Sequence, residues 1–368
     1  MLILLVLCSA ISALACGLLV RYAHTSGRRY GMGVPQRFHA GHVPRLGGVA
    51  MMIACTVGWA WMVVAEPLLS VPNLIRFEPG LAMAWWVVAL IVVVGGVAED
   101  LTHRLQARWR LLFTVLAAAV ATWVLALKIP SLGIDAIQPL WGASPWPAVL
   151  FALLAVAGLP HAFNLIDGYN GLAGIVAIIC CLALAYVSLL VGDRQLAAVV
   201  LVLAGATAGF LLWNYPRGLI FAGDGGAYLW GVIIAIASVQ LVQRYPRVSP
   251  WFPALLLVYP VWETVFSIYR KMVRGQSPGV ADALHFHQLI YRRIVRGVFD
   301  DDDARRMLMR NNRTSPYLWG FTVLTVIPAV LFWNNTPMLI AFTLLFIVLY
   351  VWAYISIVRF KVPSWLRR

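Results

Sequence analysis

Residues 146–191 read WPAVLFALLAVAGLPHAFNLIDGYNGLAGIVAIICCLALAYVSLLV, and this stretch decides the fold class. It contains two apolar runs, 146–163 and 174–191. Each is close to the length of about 20 residues that a helix needs to cross a bilayer. The loop between them, 164–173, carries an aspartate and two asparagines. A loop that only joins two spans needs no carboxylate, so we expect this one to carry chemistry.

The same pattern of apolar runs and short polar loops extends along the whole chain. Hydrophobic residues make up 62% of the sequence and charged residues only 11%, whereas a soluble domain carries about 25% charged residues. Closed β-barrels would show short alternating segments instead. The sequence therefore predicts an all-α polytopic membrane protein, a single domain of residues 1–368 with about eleven transmembrane helices. The predicted spans are 2–20, 46–65, 80–98, 110–127, 146–163, 174–191, 196–212, 227–242, 251–268, 316–333 and 338–358.

Membrane topology accounts for the net charge of +14 better than nucleic-acid binding does. Cytoplasmic loops of membrane proteins are enriched in Lys and Arg. If the N-terminus is periplasmic and the C-terminus cytoplasmic, all but five of the Lys and Arg residues fall on the cytoplasmic side. We therefore predict that orientation, with the lipid bilayer and no nucleic acid as partner. The cytoplasmic segments are 21–45, 99–109 together with Arg110, 164–173, 213–226, 269–315 and 359–368.

Six of the fourteen carboxylates lie at or near the predicted cytoplasmic ends of spans. Ionisable groups at membrane depth are costly and usually line a cavity or a path. Their placement on one face predicts that several polar clusters meet there. The six residues are Glu99, Asp100, Asp167, Asp224, Glu263 and Asp282.

The first two clusters are HVPRLGG, residues 42–48, and VAEDLTHR, residues 97–104. The guanidinium of Arg45 suits a phosphate or a nucleobase carbonyl, although a basic flank of the span is the simpler alternative. Adjacent carboxylates such as Glu99 and Asp100 repel each other, so a metal ion or a reacting proton is a usual reason to keep the pair. Helix N-capping is the alternative for this second cluster.

The third cluster lies in the loop after residue 163, where Asn164, Asp167 and Asn170 recur every three residues. In helical geometry these side chains share one face. Oxygen donors of this kind suit Mg²⁺, which keeps several waters and shares substrate phosphates. The amide of Asn170 could instead read a uracil edge, and a turn stabilised by Asx hydrogen bonds is the structural alternative.

The fourth cluster is WNYPRGLIFAGDGGAYLWG, residues 213–231. Glycines flank Asp224 on both sides, which exposes backbone amides at a helix start and forms a potential anion site. We expect Asp224 to bind a metal ion, while Phe221 offers a ring for stacking.

The fifth cluster lies in residues 270–293, where His285 and His287 are two positions apart. That spacing does not match a helical zinc pair. Imidazoles near several cations are more typical of a pyrophosphate site, with a solvated basic loop as the alternative. The cations are Arg270, Lys271 and Arg274.

In this order the five clusters resemble the polyprenyl-phosphate N-acetylhexosamine-1-phosphate transferase superfamily. The matching pattern is PRLGG, an acidic pair, NLIDGxxGLAG, FxGDxG and SP…DxxHxH, over about residues 40–295. The resemblance implies transfer of a sugar phosphate from a UDP-N-acetylhexosamine to undecaprenyl phosphate, releasing UMP. It also implies Mg²⁺, with Mn²⁺ as the alternative ion, a bacterial inner membrane and a cytoplasmic active site. It leaves a homodimer open.

The resemblance also implies roles for individual residues. Asp224 matches the principal metal ligand, with Asn164 or Asp167 nearby. Glu99, Asp100 and Asp167 match acidic positions near the metal or the reacting proton, and His285 and His287 match the histidines beside the pyrophosphate. Arg45, Asn170, Asn214 and Phe221 match nucleotide-binding positions, and Arg270, Lys271 and Arg274 are the expected pyrophosphate-binding cations.

Three positions depart from the usual pattern of the superfamily. The acidic pair is Glu99–Asp100, where most members have two aspartates. The third cluster has Asn170, where many bacterial members have aspartate. The histidine motif is HFH, residues 285–287, without the three consecutive histidines of the MurNAc-pentapeptide enzymes. The chain is therefore expected to be closer to the WecA-like enzymes that initiate O-antigen, exopolysaccharide or other envelope glycans than to MraY.

Two other functions compete with this interpretation. A transporter or flippase of lipid-linked sugars would place carboxylates near the bilayer midplane, whereas here only Glu263 lies deeper than the span ends. An inactive relative that binds lipid-linked sugars is the second alternative, because of Glu99 and Asn170.

Overall fold

The computed structural model of the protein describes residues 1–23, 43–69, 75, 77–275, 284–295 and 304–359. Helices are the only regular secondary structure within these residues, which confirms the predicted all-α class. A π-helical turn, Tyr291–Val295, directly follows the twelfth helix. The helices are α1 Leu2–Ala23, α2 Gly47–Leu69, α3 Pro79–Thr102, α4 Ala107–Val124, α5 Gln138–Gly142, α6 Trp146–Ile166, α7 Leu172–Leu190, α8 Arg194–Asn214, α9 Gly223–Arg244, α10 Trp251–Leu256, α11 Val258–Val273, α12 Phe286–Ile290, α13 Ala304–Leu331 and α14 Thr336–Val358.

Ten of the described helices are long and apolar enough to cross a membrane, against about eleven expected from the sequence. The difference is the predicted span 251–268, which breaks at Leu257 into the short helices α10 and α11. Pro260 supplies a physical reason. It has no amide hydrogen to donate to the Leu256 carbonyl four residues earlier, and its ring would clash with that carbonyl in a continuous helix.

Helix α13 begins well before the predicted span 316–333. Its first turns lie in a polar stretch, 304–315, which hydropathy assigned to a cytoplasmic loop. The length of the apolar run therefore predicted the membrane-spanning part of α13 but not its polar N-terminal extension. That extension contacts the loop between α6 and α7.

Helix α9 lies at the centre of the bundle, and all of its membrane-length window is buried. It packs against α2, α3 and α6, among others. Two of these contacts need glycine, because a Cβ on Gly48 would lie 2.3 Å from the amide nitrogen of Gly226 and one on Gly96 would lie 2.3 Å from that of Gly225. Small residues of this kind let membrane helices approach closely. The start of α9 is thereby packed against α2 and α3.

The loop between α6 and α7 forms where the opening stretch of sequence predicted it. Gly171 ends the loop with φ of +70°, and a Cβ there would lie 2.9 Å from the ring of Tyr215. Both the backbone angle and the close approach favour glycine. The third cluster is thus held against the segment that follows α8.

Candidate active site

The first and fourth clusters are joined by backbone hydrogen bonds. The amide of Phe221 donates to the Pro44 carbonyl at 2.9 Å, and the amide of Gly47 donates back to the Phe221 carbonyl at 2.9 Å. Gly48 donates to the Ala222 carbonyl at 2.9 Å. These bonds hold the entry to α2 beside the entry to α9. The side chain of Arg45 is exposed at this junction.

Asp100 caps the start of α9. Its Oδ1 accepts the amide of Asp224 at 3.0 Å, and its Oδ2 accepts the amide of Gly225 at 3.1 Å. Asp100 is only 6% exposed, and a carboxylate at a helix N-terminus is favoured by the unpaired amides and the helix dipole. Capping was the alternative for this stretch, and the structure shows that Asp100 caps a helix 124 positions further along the chain.

Glu99 lies beside Asp100 but has a different partner. Its Oε2 accepts the amide of Leu105 at 2.7 Å, which closes the turn after α3. The side chain is partly exposed. The two acidic neighbours therefore serve separate local structures, and the proton-removing role predicted for the pair stays a prediction.

Asp224 projects from the first turn of α9 and pairs with two residues that the sequence analysis did not assign to the site. Its Oδ2 lies 3.2 Å from Nη1 of Arg110 and accepts the hydroxyl of Tyr228 at 3.3 Å. Tyr228 lies one helical turn after Asp224, a spacing that places the two side chains on one face. Arg110 lies near the start of a membrane-length helix, where a cation is costly unless it is paired. Both signals were present in the sequence.

Tyr228 also links Asp224 to the interior of the bundle. The ring of His161 packs edge-to-face against it at 5.4 Å, and Nε2 of His161 lies 2.9 Å from the hydroxyl of Thr114. These residues fix the tyrosine ring, so the hydroxyl that reaches Asp224 has a defined position.

Asp167 is a partly buried carboxylate that accepts no hydrogen bond from the described residues. Burial raises the pKa of Asp167 to about 7; the positive charge of Arg45 opposes the rise, and the negative charge of Asp224 adds to it. Asp167 and Asp224 are therefore close enough to repel each other. Asn164 lies one turn before Asp167 at the end of α6, and its carbonyl accepts the Asp167 amide at 3.3 Å.

These donors fit a magnesium ion that shares its ligands with a substrate. No group of three or more His, Cys, Asp or Glu side chains within the described ranges could hold a metal by itself. Mg²⁺ usually binds through one or two carboxylates together with water and substrate phosphates. Asp167 and Asp224, whose charges act on each other, would supply the carboxylates, and Asn164, one turn before Asp167, would add an amide oxygen.

Asn170 and Asn214 are held by the protein itself. Asn170 is 1% exposed; its Nδ2 donates to Asn312 at 3.0 Å, and its backbone amide donates to Asn311 at 2.8 Å. Oδ1 of Asn214 accepts the amide of Gly171 at 2.7 Å. Both asparagines therefore position loops of the site. The Oδ1 atom of Asn170 is buried and has no hydrogen-bond partner within the described part of the chain. The predicted contact of Asn170 and Asn214 with the nucleotide stays a prediction.

His285 and His287 stack in parallel, with ring centroids 5.4 Å apart and planes within 10°. His287 meets the third cluster, because its ring lies edge-on to Tyr169 at 5.6 Å and a Cβ on Gly168 would lie 3.1 Å from its Nε2. Burial lowers the pKa of His287 to about 3; the Glu263 carboxylate opposes this shift and His285 adds to it. His287 is therefore a neutral imidazole at the loop that carries Asp167.

The three predicted pyrophosphate-binding cations have different surroundings. The guanidinium of Arg270 is buried, 5.3 Å from the ring centroid of Tyr354, and donates to Ser267 at 3.5 Å. Lys271 is also buried, whereas Arg274 is exposed at the end of α11. Asp282 and the acidic run 300–303 lie outside the described residues.

The structure thus brings all five clusters to one place. The first and second contact the start of α9, and the fifth lies against the third. The negative charge of Asp224, at the start of α9, acts on Asp167 in the third.

Known proteins resemble this chain over the same region. The sequence model of a family described as "Glycosyl transferase family 4" matches residues 82–242, which include Asp100, Asp167 and Asp224. A "probable undecaprenyl-phosphate N-acetylglucosaminyl 1-phosphate transferase" of Bacillus subtilis is 27% identical over 253 residues, covering 68% of this chain and 66% of the relative.

Two further relatives extend the comparison. An "undecaprenyl-phosphate alpha-N-acetylglucosaminyl 1-phosphate transferase" of Thermotoga maritima is 28% identical over 195 residues, 53% of this chain and 56% of the relative. A "phospho-N-acetylmuramoyl-pentapeptide-transferase" of Levilactobacillus brevis is 26% identical over 263 residues, 66% of this chain and 75% of the relative. The chain thus matches somewhat less than two thirds of the length of the first two relatives.

Proposed function

We propose that this chain, which the model of glycosyltransferase family 4 matches over residues 82–242, is a member of that family and transfers an N-acetylhexosamine 1-phosphate from a UDP-sugar to a polyprenyl phosphate, in bacteria undecaprenyl phosphate. The products are a polyprenyl-diphospho-sugar and UMP. The names of three relatives support this proposal. Two are named as N-acetylglucosaminyl 1-phosphate transferases and one as a phospho-N-acetylmuramoyl-pentapeptide-transferase.

One observation carries the proposal: the start of α9 is prepared for a charged ligand. Asp100 takes up the helix amides, so that Asp224 need not cap its own helix, and the negative charge of Asp224 acts on the buried carboxyl of Asp167. Burying like charges together is costly unless cations compensate them. Arg110 pairs with only one oxygen of Asp224, and Asp167 accepts no hydrogen bond from the described residues. A bundle that only spans a membrane has no reason to maintain such a pair.

The reaction joins two anions and conserves the number of bonds. An oxygen of the lipid phosphate attacks the sugar-linked phosphorus of the donor, and the bond from that phosphorus to the UMP oxygen breaks. UMP leaves with the bonding electrons. The second pKa of a phosphate monoester is about 6, so the lipid phosphate is already mostly dianionic at neutral pH and needs little help from a base. Positioning and charge neutralisation then dominate the catalysis.

The residues of the site can divide this work. Asp224 and Asp167, with Asn164, would hold Mg²⁺ or alternatively Mn²⁺. The ion, when bound, supplies positive charge at the donor diphosphate. Arg110 holds the Asp224 carboxylate in place, and the exposed Arg45 adds positive charge near Asp167. His287, as a neutral imidazole beside Gly168, offers a hydrogen bond without adding charge.

We further propose N-acetylglucosamine as the donor sugar and an envelope glycan, such as O-antigen or exopolysaccharide, as the product pathway. The names of the first two relatives and the HFH form of the histidine motif support this choice. The transporter alternative loses its main support, because the deeper carboxylate Glu263 is engaged by Tyr350 and the backbone of Phe286.

Release of UMP tests the proposal. Purified protein is mixed with Mg²⁺, undecaprenyl phosphate and each of several UDP-N-acetylhexosamines, and both UMP and the lipid product are measured. We expect UMP with UDP-N-acetylglucosamine and none when the lipid phosphate is omitted. Binding of lipid-linked sugars without UMP from any donor would favour the transporter or the inactive relative.

The proposed membrane placement has its own test. We propose that the N-terminus is periplasmic and that the site faces the cytoplasm of a bacterial inner membrane. A single reactive cysteine at the exposed Arg45 should be labelled by an impermeant thiol reagent only in inside-out vesicles. One at the exposed Trp146, where α6 begins at its other end, should be labelled only in intact cells. Labelling of both positions from one side would contradict the placement.

A further inference from the structure

Glu263 is a buried carboxylate outside the metal-binding residues. It lies on α11 and is only 1% exposed. Its Oε1 accepts the amide of Phe286 at 2.9 Å and lies 3.4 Å from Nδ1 of His285, while its Oε2 accepts the hydroxyl of Tyr350. One side chain therefore joins α11, α12 and α14.

The surroundings of Glu263 make these three contacts necessary. The ring of Tyr350 packs against Phe286 at 4.8 Å and Phe266 at 5.7 Å, so the carboxylate lies beside aromatic surface. A carboxylate buried next to apolar groups is costly unless it is paired and hydrogen-bonded. Its position is consequently set by its donors, and it in turn fixes theirs.

The contact with His285 determines how the histidine motif is oriented. With Nδ1 turned to the Glu263 carboxylate, the Nε2 side of the ring points away from it. Nδ1 is buried and has no hydrogen-bond partner among the described residues, so this carboxylate at 3.4 Å is the charge that favours one orientation of the ring. His287 stacks on His285 and reaches Gly168 and Tyr169, so the orientation extends to the third cluster.

We propose that Glu263 is a positioning residue of the transfer reaction, which fixes the His285 imidazole with Nδ1 toward the carboxylate and Nε2 toward the diphosphate of the donor. This inference rests on the proposed transferase function. It explains why Glu263 lies deeper in the bundle than the other carboxylates: it supports the histidine motif.

A double-mutant cycle tests the proposal. Glu263→Gln keeps the shape of the side chain: its oxygen can accept the amide of Phe286, its NH2 group can donate to the Tyr350 hydroxyl, and the charge that faces His285 is lost. We expect kcat for UMP release to fall about tenfold, equivalent to about 1.4 kcal/mol, with the KM for undecaprenyl phosphate unchanged. In the His285→Ala background the same substitution should have no further effect on kcat.

Asp193→Asn is the matched control. Asp193 is another buried carboxylate paired with a cation, at the opposite end of α8 from Asn214. We expect this variant to lower the melting temperature and to keep the kcat of the folded protein. If Glu263→Gln does not fold, Tyr350→Phe replaces it in the cycle, with a decrease in kcat expected only when His285 is present.

The outcomes separate the two proposals. Wild-type protein without UMP release would overturn the proposed function itself. Active wild-type protein together with a Glu263→Gln variant of normal kcat would overturn only the positioning role. An equal loss of kcat in the presence and absence of His285 would also overturn it, because that result shows a general structural effect.

Discussion

Two ion pairs of this protein have nearly the same geometry and different surroundings. Arg244 pairs with Asp193 at 3.2 Å, and Arg110 pairs with Asp224 at 3.2 Å. The aspartate side chains are 7% and 11% exposed, and their arginine partners are 35% and 32% exposed. Each aspartate also lies at the start of a membrane-length helix. Distance and burial alone do not tell the pairs apart.

The difference lies in what caps each helix. Asp193 caps α8 with its own side chain, since its Oδ1 accepts the amide of Leu196 at 2.8 Å. At α9 this role belongs to Asp100. As a result, Oδ1 of Asp224 accepts no hydrogen bond from the described residues. The first pair is complete within the protein, whereas the second keeps an oxygen for a ligand. A carboxylate becomes available for chemistry when another residue takes over its structural role.

Substituting the two aspartates should give the largest contrast. Asp224→Asn removes the charge proposed to bind the metal ion, and we expect UMP release to fall on the order of 10²–10³-fold, as for loss of a main electrostatic group. Asp193→Asn should leave the turnover of folded protein unchanged and lower the melting temperature. Near-normal UMP release by Asp224→Asn would remove the functional difference between the pairs.

Substituting Asp100 should have the next largest effect, because it weakens the cap of α9 that leaves Asp224 available for a ligand. An asparagine can accept only one of the two amide hydrogens that Asp100 now accepts. The unsatisfied amide costs about 1–3 kcal/mol, and the shift of the α9 start should lower UMP release by about 10²-fold, the effect of a misplacement of about 1 Å. Melting temperature and UMP release measure both effects.

Glu99→Gln is the control for Asp100, because glutamine can still accept the amide of Leu105. It should melt close to the wild type. A Glu99→Gln variant that lost as much stability as Asp100→Asn would contradict the assignment of the helix cap to Asp100.

The sequence predicted what depends on neighbouring residues and missed what depends on distant ones. The α6–α7 hairpin followed from two apolar runs and a polar loop. The break at Leu257 was missed, because the composition of 251–268 is that of an ordinary span. Its cause, Pro260, could have been recognised from the missing amide hydrogen.

The candidate site shows the same division. Cluster order led to Asp224 and His287, and spacing by one helical turn could have added Tyr228. The partners of Asp100 and Asn170 could not be read from the sequence, because 124 and 141 positions separate them from Asp224 and Asn311. Only packing shows that residues expected to react or to bind also hold the loops in place.

Substituting the arginine of each ion pair should change divalent-cation binding at the second pair and not at the first. In Arg110→Ala the Asp224 carboxylate loses a competing charge, and a partly exposed pair of this kind contributes up to about 1 kcal/mol. We expect Mn²⁺ to bind up to about fivefold more tightly in the absence of substrate, measured by electron paramagnetic resonance. Arg244→Ala should leave Mn²⁺ binding unchanged. Equal Mn²⁺ affinity in wild type and Arg110→Ala would show that Arg110 and the ion do not share Asp224.

The hydroxyl of Tyr228 should have an effect of similar size to that of Arg110. Tyr228→Phe removes one hydrogen bond to Oδ2 of Asp224 and keeps the ring that packs on His161. A bond of this kind contributes about 1 kcal/mol, so we expect UMP release to fall about fivefold with little change in melting temperature. Tyr259→Phe is the matched control, since the buried Tyr259 hydroxyl has no hydrogen-bond partner among the described residues. If both variants lost the same activity, burial of the hydroxyl and not its bond to Asp224 would account for the loss.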